Sequence, residues 1–291
     1  MDTQDLYTEY RPLLFSLAYR LLGTVMDAED MVQETFVAYA GLGEAQEIHN
    51  QRAYLCKMLT NRCLDFLRSA KHRREVYVGP WLPEPVVWRE DRGDHDPMRE
   101  LLCRDDLTMA YLLMMETLTP TERAVFVLRE AYQYEYAEIA NLVGKSETNC
   151  RKIHSRVKQK LHPEVADRHV EYAKDQAVLN RFVTAFTTGD TGTLMELLSD
   201  DVTLLSDGGG KAVAAIHPIV SSARVLVFLQ GIVRNAPSGS AIDPVTINGQ
   251  PGLLFKAGDE VVGTFSFDRE GERIGRIFMV RNPDKLARIG S

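Results

Sequence analysis

The sequence predicts a multidomain chain, two all-α units followed by a C-terminal α+β unit. Three observations predict it. Apolar residues recur at helical spacing, with capping residues at the breaks, from residue 5 to 74 and again from about 107 to 161. A proline-rich and then acid-rich stretch separates the two runs. Beyond Ala241 the pattern changes to strand-like alternation between glycine turns. The expected segments are residues 1–75, 76–106, 107–165 and 166–291.

In the first segment Leu6, Tyr10, Leu13, Leu14, Leu17 and Leu21 share a helix face, and Gly23 is the natural stop. Asp27 is the expected cap of a second helix that buries Met31, Val32 and Phe36. After a polar loop, Asn50 caps a third helix with Tyr54, Leu55, Met58, Leu59, Cys63 and Leu67 on its core face. In the second segment Pro80, Pro83 and Pro85 force extended backbone, and the acidic stretch after them reads as loop. Thr119-Pro120-Thr121-Glu122 then spells a capping box with proline in the first turn. Gly144 ends the next short helix, and Ser146 caps another whose apolar stripe is Cys150, Ile153, Val157 and Leu161. In the last segment helices are expected over 169–188, 191–198 and 222–234, with a short strand at 202–205. A curved antiparallel sheet follows, turning at Gly258-Asp259 and Glu270-Gly271.

Composition narrows the class. A hydrophobic fraction of 45% with 26% charged residues is that of an ordinary globular protein. No apolar run reaches the roughly 18–20 residues of a membrane span, and the acidic N-terminus lacks a signal-peptide layout. The four cysteines have no metal-ligand spacing and read as reduced thiols, so a cytoplasmic protein without metal or cofactor is expected. The net charge of −7 argues against a nonspecific nucleic-acid coat, but the distribution is uneven. Residues 51–74 hold seven Lys and Arg against Asp65 alone, and residues 145–160 hold six against Glu147 alone.

The second basic cluster lies in a helix, a glycine turn and a capped helix, the layout of a helix-turn-helix. With its apolar stripe inward, that helix turns Thr148, Lys152, Ser155 and Gln159 outward, with Arg151 and Arg156 on the flanks. Such a face mixes hydrogen-bonding groups for base edges with cations for phosphates. A solvated helix on a bundle would show the same pattern. The first cluster, with Asn61, Arg62, Asp65 and Arg68, suits any polyanion. The rigid Trp81-Leu82-Pro83-Glu84-Pro85 segment, with Trp88 beyond it, suggests docking into a groove, and a plain spacer is the alternative.

Two separated strings, DAEDMVQETFVAYA with AYLCKMLTNRCLDFLR, and LTPTERAVFVLREAYQYEYAEIANLVGKSETNCRKIHSRVKQKL, resemble regions 2 and 4 of the extracytoplasmic-function sigma factors of bacteria. Three shorter ones are similar to those of a subgroup with a fused C-terminal SnoaL-like, NTF2-like cone: Trp81 to Pro85, Asp207-Gly208-Gly209-Gly210-Lys211, and Asn282-Pro283-Asp284-Lys285-Leu286. The resemblance implies a dissociable specificity subunit of RNA polymerase. It implies that Asp30, Gln33, Glu34 and Phe36 dock on the clamp helices of the largest core subunit. Asn61, Arg62, Asp65 and Arg68 would then meet the −10 promoter element, and residues 41–50 would form the pocket for a flipped base. Arg151, Lys152, Ser155 and Arg156 would read the −35 element.

The same resemblance implies that the cone regulates, through contact with the Trp81–Pro85 segment and with regions 2 and 4. The acidic run Glu90–Asp106 would mimic nucleic acid or simply be solvated. Some relatives of the cone are isomerases or cyclases, which makes Asp207 and His217 a candidate acid–base pair and leaves a small-molecule ligand open. Nothing else marks an enzyme. A monomer is expected when the chain is free. The alternative from another class is a ligand-sensing one-component regulator, which would dimerise on a palindrome.

Overall fold

The computed structural model describes residues 3–42, 48, 50–74, 77–88, 107–165 and 171–289. The whole acidic run 90–106, and residues 43–47 and 49 of the expected base pocket, lie outside them. The chain forms two compact units. One gathers the helices of both sigma-like segments; the other joins the linker residues 77–88 to the C-terminal sheet.

The helical unit begins with α1 (Thr3–Leu22), α2 (Val25–Ala40) and α3 (Gln51–Arg74). Leu14, Leu17 and Leu21 of α1 pack fully buried with Met31, Val32 and Phe36 of α2 and Leu55, Leu59 and Cys63 of α3. Gly23 closes α1 at φ +73°, its amide bonded to the Tyr19 carbonyl at 2.8 Å, a conformation that suits only glycine without strain. The cap of α2 is Thr24 rather than Asp27. Thr24 takes the extended N-cap geometry and donates its hydroxyl to the Asp27 carboxylate, which lies in the first turn where it complements the helix dipole. Asn50 caps α3, accepting from the Ala53 amide at 2.9 Å.

Four further helices follow: α4 (Met109–Met115), α5 (Pro120–Glu130), α6 (Tyr136–Val143) and α7 (Glu147–Val165). The Thr119–Glu122 capping box forms as the spacing requires. Gly144 ends α6 at φ +65°, and Ser146 accepts from the Asn149 amide at the start of α7. Cys150, Ile153, Val157 and Leu161 are all buried. Helix α5 packs on α1 and α3, and α6 on α3. Arg123, 3% exposed, ties the two groups, donating to the Leu21 carbonyl at 2.6 Å and to Glu116 at 2.7 Å. That carbonyl is one of the unpaired acceptors at the end of α1, where a cation is favoured. Burial pushes the guanidinium down to about 10, so it stays charged at neutral pH.

In the second unit the linker supplies β1 (Val87–Trp88), and α8 (Tyr172–Thr188) and α9 (Thr191–Leu197) precede β2 (Leu198–Asp207), β3 (Ile219–Val220) and α10 (Ser222–Arg234). A meander, β4 (Ser240–Ile247), β5 (Gln250–Ala257), β6 (Glu260–Glu270) and β7 (Arg273–Val280), leads to α11 (Pro283–Leu286). The sheet order is β1-β4-β5-β6-β7-β2-β3. It is not wholly antiparallel, because β2 lies parallel to β7. Alternation identifies strands, but the direction of a strand separated from its partner by an entire meander is a long-range choice. Phe182 of α8 stacks on Phe265 of β6 at 4.7 Å between ring centres, and Leu253, Phe267, Ile274 and Met279 complete the core.

Candidate functional site

On α7, Arg151, Lys152, Ser155 and Arg156 are all exposed on one side, opposite the buried stripe. Two are already engaged. Arg151 bonds Glu147 at 2.6 Å and lies 4.4 Å over the Tyr136 ring; Arg156 bonds Glu122 at 2.7 Å. Lys152 and Ser155 carry no such tie among the described residues. Burial raises the Glu122 carboxyl, but the Thr119 amide and hydroxyl and the Arg156 charge outweigh it and hold it below its ordinary range. Its stabilising contribution is therefore present above the ordinary carboxylate range and lost as pH falls through the lowered folded value. A glutamine at 122 keeps the capping-box geometry without the charge. If Arg156 contacts DNA as the resemblance implies, Glu122→Gln is expected to free it for an anion and raise DNA affinity two- to fivefold, on the order of 0.5–1 kcal/mol for a half-exposed pair. Equal affinity in a filter-binding titration would show that Arg156 makes no phosphate contact.

On α3, Asn61, Asp65 and Arg68 are exposed and Arg62 is half-buried. Asp65 pairs with Arg68 at 2.7 Å, so Asp65 shapes the cation rather than offering a free acceptor. Arg62 pairs with Glu34 of α2 at 3.2 Å, and with Asp30, Gln33 and Val37 they line one groove. Of the expected −10 residues, Arg62 alone meets the expected polymerase-docking residues at this edge. Phe36 does not belong to that edge. It is 5% exposed and packs edge-on to Tyr7 at 4.9 Å, so it is a core residue, and the apolar side chain exposed there is Val37 at 75%. Position 36 falls on the side of α2 that faces α1, and one residue further points outward.

The three short strings of the subgroup converge in the sheet unit. Asp207, wholly buried at the end of β2, accepts from the Tyr77 hydroxyl at 2.6 Å, the Leu82 amide at 2.9 Å, the Gly209 amide at 3.0 Å and the Lys285 ammonium at 2.7 Å. Four donors on one carboxylate satisfy a charge that would otherwise not tolerate burial. Lys285, 7% exposed, also bonds the Leu82 carbonyl and sits 4.2 Å over the Trp81 ring, a desolvated cation–π contact. Asn282 accepts from the Asp284 amide as the cap of α11, with Pro283 at its first position, and donates to the Tyr77 hydroxyl at 2.9 Å. Burial, and then the bond to Asp207, raise Tyr77, which keeps its proton and serves as a donor.

Glycine at 209 is a requirement. Its φ is +60°, and a Cβ there would lie 2.3 Å from the Asn282 amide nitrogen. A Cβ on Gly208 would come equally close to the Ala212 carbonyl oxygen, and one on Gly210 would sit 3.3 Å from Val78. Leu82, Pro83, Glu84 and Pro85 are buried, Trp81 is half-buried, and Leu286 is 4% exposed. Lys211 clasps Asp284 at 2.6 Å on the surface, where a pair is worth about 0–1 kcal/mol. Asn248, in the β4–β5 turn, exchanges two bonds with the backbone of Val86, and β1 adds itself antiparallel to β4. Tyr77 and Asn248 carry no motif of their own; an aromatic three residues before Pro80 was the only signal for the first. Asp207 and His217 are not brought together, since His217 is exposed and Asp207 is enclosed by the linker.

Among the described residues no helix is long and apolar enough to cross a membrane. Residues 6–73 match the Sigma-70 region 2 family and residues 108–161 the Sigma-70 region 4 family. The chain is 36% identical over 288 residues to the ECF RNA polymerase sigma factor SigJ of Mycobacterium tuberculosis, covering 95% of this chain and 90% of SigJ. It is 30% identical over 284 residues to the probable ECF RNA polymerase sigma factor SigI of the same organism, covering 95% and 92%. The crystal structure of M. tuberculosis SigJ matches with a TM-score of 0.79 at 30% identity, over 99% of this chain and 98% of that one.

Proposed function

Because the chain belongs to the ECF RNA polymerase sigma factors, we propose that its two cationic helices divide promoter recognition between them and that its sheet unit governs the linker joining them. The one-component repressor is not favoured, since sigma-factor kinship extends over 95% of the chain. Helix α7 reads the −35 element through Arg151, Lys152, Ser155 and Arg156. Asn61, Arg62 and Arg68 of α3 contact the −10 element, with Asp65 orienting Arg68. Asp30, Gln33 and Glu34 dock on the clamp helices of the core polymerase. Glu34 must then relax its hold on Arg62, so polymerase docking hands a cation to DNA. Chemistry belongs to the polymerase, and the free chain is a monomer.

The observation that carries promoter recognition is the outward face of α7, four polar or basic side chains backed by a fully buried stripe. Run-off transcription with core polymerase tests it. Arg151→Ala with Lys152→Ala is expected to weaken promoter binding by about 1–3 kcal/mol per base-reading contact. Undiminished transcription from the cognate promoter would rule out α7 as the reading helix. The regulatory half rests on Asp207. Its linker partners, Tyr77 and Leu82, belong to the segment between the two promoter-binding halves. Holding that segment limits how the halves separate along DNA. Trp81→Ala is expected to change transcription more than Lys211→Ala, because Trp81 covers a buried ammonium whereas Lys211 makes an exposed pair.

A further inference from the structure

Between α8, α10 and the sheet lies a cavity of about 750 Å3 that neither promoter recognition nor the linker contact uses. Phe186, Phe228, Ile232, Phe255 and Met279 give it a largely apolar wall, and its volume falls in the range that encloses small organic ligands. Two glycines line it. Gly231 sits inside α10, where glycine weakens a helix relative to alanine, yet a Cβ there would meet nothing within 4 Å. Gly263 lies beside the stem of Arg281, whose Cγ would be 3.7 Å, an ordinary contact, from an added Cβ.

The charge of the lining is one-sided. Lys256 and Arg281 contribute to it, and no Asp or Glu does. Lys256 is neutralised by Asp243. Arg281 has no acid partner among the described residues; one of its terminal nitrogens donates to the Val213 carbonyl at 2.7 Å. Burial holds its guanidinium below the usual range, as for a cation with no counter-charge.

We infer that this cavity binds a small carboxylic acid with an apolar body, the carboxylate pairing with Arg281. A guanidinium offers the planar fork that a carboxylate fits, and the wall takes the hydrocarbon. Arg281 also touches the linker machinery. Its amide donates to the Asp207 carbonyl at 2.7 Å, and Asn282 beside it bonds Tyr77. A carboxylate that draws Arg281 away from Val213 acts on the loop that starts at Asp207. That consequence rests on the regulatory reading above; the binding itself does not.

Calorimetric titration of the full chain with decanoate and with decanol tests the inference. Decanoate is expected to bind saturably, and decanol about tenfold more weakly for want of the charge-assisted bond. Arg281→Met, which keeps the stem, is expected to erase that preference, and Gly231→Phe to block both probes while a thermal melt confirms folding. Equal binding of the two probes, a preference surviving in Arg281→Met, or no binding of decanoate would each overturn it. The regulatory reading is scored apart, by Asp207 variants in transcription assays without any probe.

Discussion

Asp207→Ala is expected to destabilise the sheet unit by about 3–5 kcal/mol, because it takes the carboxylate of a buried ion pair away from its ammonium. Lys285 is 7% exposed, and Asp207 is the carboxylate it bonds at 2.7 Å, alongside the Leu82 carbonyl and the faces of Tyr77 and Trp81. The Tyr77 hydroxyl and the Leu82 and Gly209 amides lose an acceptor at the same time. The linker should then come off the sheet, exposing residues 77–88 to protease. Pairing Asp207→Asn with Lys285→Met removes both charges and should recover much of the loss, since desolvating an ion pair costs about as much as its attraction returns. Urea unfolding and timed proteolysis give the readout. An alanine variant as stable and as protease-resistant as the parent would mean that Asp207 does not hold the linker.

Arg123→Ala is expected to cost the helical unit about 3–5 kcal/mol as well. The side chain is 3% exposed and joins the carbonyl end of α1 to Glu116, bridging helices far apart in sequence. Arg123→Met should lose less, because it fills the space without a buried charge, although the Leu21 carbonyl still goes uncapped. Denaturant unfolding followed by circular dichroism separates the outcomes. If alanine and methionine prove equally mild, packing and not the guanidinium binds these helices. If alanine splits a single transition into two, Arg123 is what makes the helices of residues 3–74 and 111–165 fold cooperatively.

Local signals determined most of the helical half. The Thr119–Glu122 box, Gly23, Gly144, Asn50 and Ser146 each act within one turn of the chain, so their geometry follows from adjacent residues. The stripe at 150, 153, 157 and 161 likewise dictates which side of α7 faces outward. Periodicity alone already sets Phe36 on the buried face of α2; the resemblance has it dock as well, and its 5% exposure against Tyr7 leaves it to the core. The three short strings were visible as strings, and a contact between the cone and the Trp81–Pro85 segment was expected, but the residues that make it were not. Asp207 lies 125 residues from Leu82 and 78 from Lys285 in sequence, and no local preference spans such separations. Tertiary structure alone placed them together, set β2 parallel to β7, added β1 to the sheet and left Arg281 unmatched in a cavity. Caps and periodicity are written in neighbouring residues, whereas the partner of a buried charge is chosen by the whole fold, which must supply one or leave the charge unburied.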